Sequence, residues 1–198
     1  MIGLLGAHRV GKSTLCQGLL QAGRGRYWEV PVSISQMQKY LGFDSSNQSY
    51  DWDTRKAIQL GLFAQFKELL WEHQHSTKIR TADVRIDISE RTPLDLVGYL
   101  VINAPENTTA EDLAWIEDYK TNCINLTNEY YSKVFLVQPG IPYVECETSA
   151  KEDTIDKLNS VYLSLMLDSR LTVDRVVMDT EMTDLTQRIL YVMENTYV

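Results

Sequence analysis

The chain has 198 residues, of which 44% are hydrophobic and 23% are charged, and its formal net charge is -8. This length suits one α/β domain with a sizeable core, and the balance of apolar and charged residues excludes a wholly disordered chain. The negative charge disfavours a protein that coats nucleic acid, and no apolar run reaches the roughly 20 residues that a membrane span needs. Because no cationic segment precedes an apolar stretch at the N-terminus, we expect no signal peptide.

The charge is distributed unevenly along the chain. Residues 1–40 carry a net charge of +4 and the remainder carries -12, and a basic N-terminal end suits a phosphate site better than a long DNA groove. The basic residues of this end are Arg9, Lys12, Arg24, Arg26 and Lys39. The three cysteines, Cys16, Cys123 and Cys146, have no paired spacing, which predicts buried free thiols in a cytoplasmic protein.

Apolar runs of β type alternate with amphipathic segments, a pattern that predicts a parallel sheet wrapped by helices. The predicted strands are Ile2–Gly6, Tyr27–Val32, Val84–Ser89, Lys133–Val137 and Asp174–Met178. The predicted helices are 12–22, 34–41, 53–74, Pro93–Ile102, one that begins after Thr109, 150–167 and 184–194. We therefore expect a three-layer α/β fold with a central parallel sheet of five strands, formed as a single domain by residues 1–198.

Some of these elements carry a more specific expectation. In the third strand, apolar residues alternate with Arg85 and Asp87, so this strand is predicted to lie at a sheet edge or to face a wet cleft. Pro93 suits the first turn of its helix, and Thr109 is predicted to cap the next one. In the helix over 53–74, periodicity predicts that one face contains Ala57, Leu60, Ala64 and Leu70.

The most informative motif is GAHRVGKS over residues 6–13, which matches G-x-x-x-x-G-K-[ST] in full between a predicted strand and a predicted helix. Its glycines let the backbone turn N–H groups towards phosphate oxygens at the positive end of the helix. We expect Lys12 to bridge the β- and γ-phosphates of ATP and the Ser13 hydroxyl to bind Mg²⁺. The residues predicted to hold the nucleotide are Gly6, Ala7, His8, Arg9, Val10, Gly11, Lys12, Ser13 and Thr14.

A second string, SERTPLD over residues 89–95, follows the third predicted strand. Ligands of doubly wound sheets bind at the carboxyl ends of strands. Glu90 is therefore expected to hold Mg²⁺ through its water shell or to act as a base, and Arg91 to stabilise the phosphate in transfer. Asp95 lies in the first turn of a helix, where it either serves the acceptor or caps the helix. His8, in the variable part of the first motif, is expected to point at solvent or at the acceptor.

GAHRVGKST and ERTPLDLVGYL together resemble the P-loop kinases grouped around thymidylate kinase and the deoxynucleoside kinases, in which an acid–arginine pair ends the third strand. VQPGIPYVE and YDWDTRKAIQ are similar to small phage-encoded nucleotide kinases of this group. The resemblance implies ATP·Mg²⁺-dependent phosphoryl transfer to a pyrimidine deoxynucleotide-type acceptor. It also implies that Lys12, Glu90 and Arg91 are catalytic, with Ser13 and Glu90 at the metal. Glu90, where thymidylate kinases more often have aspartate, favours the deoxynucleoside kinase type.

The acceptor is expected between the end of the second strand and the long helix over 53–74. The polar residues predicted to contact it are Glu29, Ser33, Ser35, Gln36, Arg55 and Gln59, and Tyr50 and Trp52 are available to stack on a base. The resemblance also implies a mobile lid, predicted within 140–168. Lys151 and Lys157 are its candidate residues, although such lids usually carry arginines and solvated helix charges are the simpler interpretation. By analogy, the adenine is expected around Thr180–Asp184.

Two acceptors remain open, a free deoxynucleoside monophosphate and 5-hydroxymethyluracil in phage DNA. The resemblance slightly favours the DNA base, which Arg9, Arg24, Arg26 and Lys39 would grip. A non-catalytic nucleotide-dependent switch is the alternative from another class, and a homodimer is one alternative for the oligomeric state. Motor ATPases and G-proteins are disfavoured, because VFLVQ ends in Gln138 rather than aspartate and no N-K-x-D string is present.

Overall fold

The computed structural model describes residues 1–43, 50–77, 85–142 and 152–196. Its centre is a parallel sheet of five strands in the order β2-β3-β1-β4-β5. The strands are β1 (Ile2–Leu5), β2 (Tyr27–Val30), β3 (Ile86–Ser89), β4 (Lys133–Val137) and β5 (Asp174–Met178). The predicted α/β class and the central parallel sheet are confirmed.

The helices of the described residues alternate with these strands. They are α1 (Lys12–Ala22), α2 (Ile34–Tyr40), α3 (Trp52–Thr77), α4 (Pro93–Ile102), α5 (Ala110–Tyr130), α6 (Glu152–Met166) and α7 (Leu185–Thr196). Pro93 begins α4, and Thr109 caps α5 by accepting a hydrogen bond from the Asp112 N–H at 3.1 Å. No helix in this part of the chain is long and apolar enough to cross a membrane.

The strand order determines which face of the sheet each helix covers. The chain moves one way along the sheet from β1 to β2 and the other way in every later crossover. Because crossovers between parallel strands are right-handed, α1 covers one face and α2 to α6 cover the other. The contacts agree, since α7 packs against α1 while α4 packs against α3, α5 and α6. The direction reverses beside β1, and the chain segments that follow β1 and β3 meet there.

The expectation that the third strand lies at an edge of the sheet is wrong. β3 pairs with β1 on one side and with β2 on the other. Its polar residue Asp87 is explained by a contact with α3, since its Oδ2 lies 3.0 Å from Nε2 of His73. Asp87 also lines a small cleft of about 310 Å³ at the amino end of the sheet. The wet-cleft alternative is therefore the one that the structure shows.

The residues predicted to share one face of α3 do not lie together on its buried face. Ala57, Leu60 and Ala64 are exposed. The core instead takes side chains spaced by four residues, Ile58, Leu62, Phe66 and Leu70. This register buries three large aliphatic side chains and one aromatic ring, which removes more apolar surface from water than a face containing two alanines. Of the cysteines, Cys16 and Cys123 are buried free thiols as predicted, and Cys146 lies outside the described residues.

Two leucines of α3 provide a matched test of this register. Leu70 is fully buried, whereas Leu60 is 53% exposed. Leu70→Ala should lower the free energy of unfolding by about 2–5 kcal/mol, because it leaves a cavity in the core. Leu60→Ala should change it by about 0.5 kcal/mol or less. Urea denaturation of both variants measures the difference, and equal losses would contradict the observed register.

Candidate active site

The loop over residues 6–11 joins β1 to α1, as the motif predicts. Gly11 has a left-handed backbone with φ 90°, which favours glycine. At Gly6, a Cβ atom would lie 2.6 Å from the carbonyl oxygen of Val137. Both glycines are therefore required by the close turn of the loop, which leads into the positive end of α1.

Lys12 lies inside this loop and is only 3% exposed. Its Nζ donates to the carbonyl oxygens of Gly6 at 2.7 Å and Ala7 at 2.5 Å. Burial, followed by the nearby Arg91 guanidinium, lowers the pKa of Lys12 to about 7, although Asp95 and Glu90 partly oppose the shift. A phosphate group at the loop would supply the negative charge that stabilises the ammonium form.

Ser13 and Glu90 meet although 77 residues separate them in the sequence. The Ser13 hydroxyl donates to Oε1 of Glu90 at 2.6 Å. Ser13 is exposed in the first turn of α1, and Glu90 is half-buried directly after β3. A hydroxyl and a carboxylate oxygen are ligands that Mg²⁺ accepts beside phosphate oxygens and water. The two residues predicted for the metal thus form one cluster with the right chemistry.

Arg91 is held in place by Asp95. Its Nη1 donates to Oδ1 of the fully buried Asp95 at 3.0 Å. The other carboxylate oxygen, Oδ2, accepts from the backbone N–H of Thr92 at 2.8 Å and from its hydroxyl at 3.1 Å. Although burial opposes the charge, Asp95 and the nearby tyrosines raise the pKa of Arg91 overall, so the guanidinium stays charged. Asp95 thus caps α4 and orients Arg91 at the same time.

His8 lies beside Arg91 rather than in open solvent. Its Nδ1 is 3.4 Å from Nη2 of Arg91, and its ring centroid is 5.2 Å from that of Tyr99. Burial, together with the smaller effects of the charges of Arg91, Lys12 and Arg9, lowers the pKa of His8 to about 3. The ring is therefore neutral at pH 7. Because Arg91 can only donate, we infer that Nδ1 accepts and that the proton is on Nε2.

A pocket of about 400 Å³ opens beside these groups, within the size range of small-molecule sites. His8, Glu90 and Arg91 line the end near the P-loop. The residues predicted for the acceptor also line it, namely Glu29, Ser33, Ser35, Gln36, Tyr50, Trp52, Arg55 and Gln59. The exception is Asp95, which is fully buried behind Arg91 and is not a lining residue.

Several polar residues of the pocket wall are fixed by neighbours. The indole N–H of Trp52 donates to Asp112 at 2.8 Å, and Arg55 Nε donates to the carbonyl oxygen of Tyr50 at 3.2 Å. The Tyr119 hydroxyl lies 3.0 Å from both the backbone oxygen and Oε1 of Gln59. Hydrogen bonds to Asp112 from Thr109, Trp52 and Lys56 lower its pKa to about 2, so it stays ionised as the anchor of this wall.

Three residues at the pocket or the P-loop were not predicted from the sequence. Tyr99 of α4 and Asn103, the residue that follows α4, line the pocket. They follow Asp95 at intervals of four residues, and this spacing after SERTPLD was a usable signal. Arg188 of α7 is 2% exposed and donates to the carbonyl oxygen of Val10 in the P-loop at 2.7 Å. The only sequence signal for Arg188 was its spacing, since it precedes the apolar Val192 by one helical turn and so lies on the face of α7 that is buried.

The lid stays a prediction. The described part of 140–168 contains α6, which packs into the core through Ile155, Leu158 and Tyr162. Lys157 is exposed and forms a 2.8 Å pair with Asp153, an exposed helix pair of a kind that contributes little. Lys151 lies outside the described residues.

The basic residues expected to grip DNA do not line this pocket. Arg24 and Arg26 precede β2, whereas the pocket lies beyond the carboxyl end of that strand. A four-residue strand separates the two ends by roughly 13 Å. Lys39 is exposed on α2, and Arg9 is exposed on the P-loop.

No protein-family profile matches the chain, and no curated protein sequence matches it. Among solved structures, it is similar to deoxyadenosine kinase from M. mycoides with bound dCTP, at 15% identity and TM-score 0.59, over 98% of this chain and 97% of that one. It is also similar to NadR in complex with NAD and AMP-PNP, at 16% identity and TM-score 0.62, over 100% of this chain and 49% of that one. The chain has the P-loop kinase fold. At these identities, the similarity concerns the fold.

The neutral state of the buried His8 ring leads to a pH prediction. In the unfolded chain, a histidine binds a proton below about pH 6.5, but folded His8 does so only near pH 3. Stability should therefore fall as the pH is lowered below 6.5, since the unfolded state then binds more protons. His8→Asn removes this difference in proton binding. On acidification, the variant should therefore lose less stability than the wild type, by up to about 1.4 kcal/mol per pH unit.

Urea denaturation between pH 7 and pH 5 would measure this effect. The same substitution at His75, which is exposed on α3, is the control and should keep the wild-type pH dependence. If His8→Asn has the same pH dependence as the wild type, the ring is not held neutral by burial.

Proposed function

We propose that this protein is an ATP-dependent kinase that transfers the γ-phosphate to a nucleoside-type acceptor bound in the pocket. The observation that carries the proposal is the 2.6 Å contact between the hydroxyl of Ser13 and the carboxylate of Glu90. It joins the phosphate loop to a residue that lines the pocket. A nucleotide-dependent switch needs the loop but not a formed acceptor pocket with charged groups at its phosphate end.

On the donor side, the P-loop residues would bind and orient the phosphates of ATP. Lys12 points into the loop, where its charge can neutralise phosphate oxygens. Ser13 and Glu90 would hold Mg²⁺, which neutralises charge on the β- and γ-phosphates when it is bound. Arg91, fixed by Asp95, presents a guanidinium at the junction between the loop and the pocket. A fixed cation there stabilises the charge of the phosphate in transfer without reorganisation.

On the acceptor side, a second carboxylate is available as a base. Glu29 and Glu90 both line the pocket. Burial, followed by the charges of Glu29 and Glu90, raises the pKa of the Cys16 thiol to about 12, so both carboxylates act on the same buried group. With Glu90 at Ser13, Glu29 is the carboxylate left to accept a proton from an acceptor hydroxyl.

The rest of the pocket suits a planar base with a hydrogen-bonding edge. Trp52 and Tyr50 offer aromatic surfaces, and Gln36, Gln59 and Asn103 offer amide groups. Buried aliphatic residues of α3 and α4, Ile58, Leu62, Leu96 and Leu100, form the apolar wall. Deoxyadenosine kinase from M. mycoides, which shares the fold, is known with bound dCTP and with dCMP. These features support a deoxynucleoside or its monophosphate as the acceptor.

Between a free acceptor and a DNA base, the charges favour the free acceptor. The sequence resemblance slightly favoured 5-hydroxymethyluracil in DNA, with Arg24 and Arg26 among the gripping residues. Both lie at the amino end of β2, away from the pocket. Arg55 of α3 does line the pocket, which supports a role for its guanidinium in holding a monophosphate there.

A labelling assay tests the proposed activity. Transfer from γ-labelled ATP should be stimulated by at least one deoxynucleoside or deoxynucleoside monophosphate in the presence of Mg²⁺. Lys12→Ala should reduce transfer by at least about 100-fold, the scale of one lost preorganised charge. Glu90→Gln should lower the maximal rate and weaken the Mg²⁺ dependence while ATP binding is kept. The exposed Lys67 of α3 supplies the control, Lys67→Ala, which should retain wild-type transfer. Slow hydrolysis that no acceptor stimulates would favour the switch instead.

A pair of arginine variants distinguishes the two acceptor classes. For a free monophosphate, Arg55→Gln should raise the KM of the acceptor by about 10-fold to 100-fold. The matched variant Arg26→Gln should leave KM unchanged. The measurement is labelled product from thymidylate, deoxyuridylate and a hydroxymethyluracil duplex at two salt concentrations. Labelling of the duplex would overturn the preference for a free acceptor if two conditions hold. The yield of labelled duplex must fall steeply with salt, by about one unit of log–log slope per phosphate contact. It must also be lower with Arg26→Gln than with the wild type.

A further inference from the structure

Arg188 is among the largest fully buried side chains of the described residues, with 2% exposure. It lies on α7, the helix that packs against α1. Its Nη1 donates to the carbonyl oxygen of Val10 at 2.7 Å, and its Nε donates to the carbonyl oxygen of Met182 at 2.6 Å. The guanidinium therefore bridges the P-loop and the turn between β5 and α7.

The charge of Arg188 has no acidic partner in the described part of the chain, and its Nη2 is buried there without a hydrogen-bond partner. Burial lowers the pKa of the group. Two carboxylates of the same turn, Asp179 and Asp184, accept backbone N–H groups of Glu181 and Gln187 at 2.9 Å each. Burying an unpaired charge is strongly unfavourable, so this arrangement calls for a compensating anion.

The surroundings of the guanidinium indicate where that anion binds. A Cβ atom at Gly11 would lie 3.2 Å from Nη1, and one at Gly140 would lie 2.7 Å from Nη2. Arg188 thus lies directly behind the P-loop, next to the residue that precedes Lys12. Because the Val10 carbonyl is bound to Arg188, it cannot turn towards a phosphate. The N–H groups that follow at the positive end of α1 remain available for phosphate oxygens.

We propose that Arg188 is a positioning residue for the donor nucleotide, and that the nucleotide's phosphates, rather than a carboxylate of the described residues, balance its buried charge. Arg188 acts through the loop, by fixing the Val10 carbonyl and by adding positive potential in a low-dielectric region beside Lys12. The inference rests on the proposed function only in that the P-loop binds a nucleoside triphosphate. Its consequence is that the contribution of Arg188 to binding increases with the number of phosphates.

Calorimetric titration with ATP, ADP, AMP and adenosine, without acceptor, tests this consequence. Arg188→Gln should weaken ATP binding by about 10-fold to 100-fold, ADP and AMP progressively less, and adenosine by less than about 2-fold. Arg188→Lys keeps the charge but loses the two-carbonyl fork, so it should recover most of the ATP affinity in the titration, while its kcat in the labelling assay should lie below that of the wild type. Arg175→Gln is the matched control, since Arg175 donates to the carbonyl oxygen of Met166 on a remote part of the fold. This variant should bind all four compounds as the wild type does.

Equal losses for adenosine and ATP would overturn the proposal, because they would indicate contact with the base. Unchanged ATP binding in folded Arg188→Gln would reduce Arg188 to a packing role. If Arg188→Gln does not fold, Arg188→Lys decides. The proposal is supported if Arg188→Lys still binds ATP more tightly than adenosine and has a lower kcat than the wild type. It is refuted if the kcat and the ATP affinity of this variant are unchanged, or if its affinities for ATP and adenosine fall equally.

The two proposals can fail separately. Wild-type protein that binds ATP more tightly than adenosine but transfers no phosphate would remove the kinase function and leave the role of Arg188 intact. An active kinase whose ATP affinity does not depend on Arg188 would do the reverse.

Discussion

The parallel pairing of β1 with β3 is the constraint on which the site depends. It sets Ile2 beside Ile88 and Gly3 beside Ser89, so the segments that follow the two strands emerge side by side. Gly3 makes this close approach feasible, since a Cβ atom there would lie 2.5 Å from Thr92 and 2.7 Å from the Tyr131 ring. The Tyr131 hydroxyl then donates to the carbonyl oxygen of Arg91 at 3.1 Å. The P-loop and the acid–arginine pair are therefore positioned by strand register before any ligand binds.

The charges around this junction are balanced to different degrees. Arg91 has a fully buried carboxylate partner in Asp95 and remains charged. Lys12 binds backbone carbonyls, and burial and the charge of Arg91 lower its pKa to about 7 because Asp95 and Glu90 oppose them only in part. His8 is kept neutral. A site with a surplus of positive groups and few anions of its own is unstable electrostatically unless it binds a multiply charged ligand.

The sequence could predict those parts of the fold and site that depend on local chemistry. The two glycines, Lys12 and Ser13 act through a loop of eight residues, so their geometry follows from the motif. Strand order and the buried face of a helix depend on which segments, distant in sequence, pack against each other. The alternation of polar and apolar residues in β3 suggested an edge strand. The sequence could not show that Asp87 instead contacts His73 of α3. Leu60 and Leu70 both fit an apolar periodicity, and only the packed core distinguishes them. Arg188 reaches Val10 across 178 residues, which no local pattern encodes.

The basic N-terminal end shows how charge along a chain differs from charge at a site. Counted in sequence, Arg24 and Arg26 belong to the same basic segment as Lys12. In the fold, α1 carries the chain from the carboxyl edge of the sheet back to its amino edge, and both arginines lie where that return ends. Any connection between two parallel strands must make this return, so positive residues shortly before a strand lie at the opposite edge from those shortly after one. Only cations that follow strands, or that lie on helices facing the carboxyl edge, such as Arg91 and Arg55, can reach a ligand at the switch point. For this chain, that geometry supports the proposed small acceptor over a polymer, because the pocket is lined by Arg55 and Arg91 and not by Arg24 or Arg26.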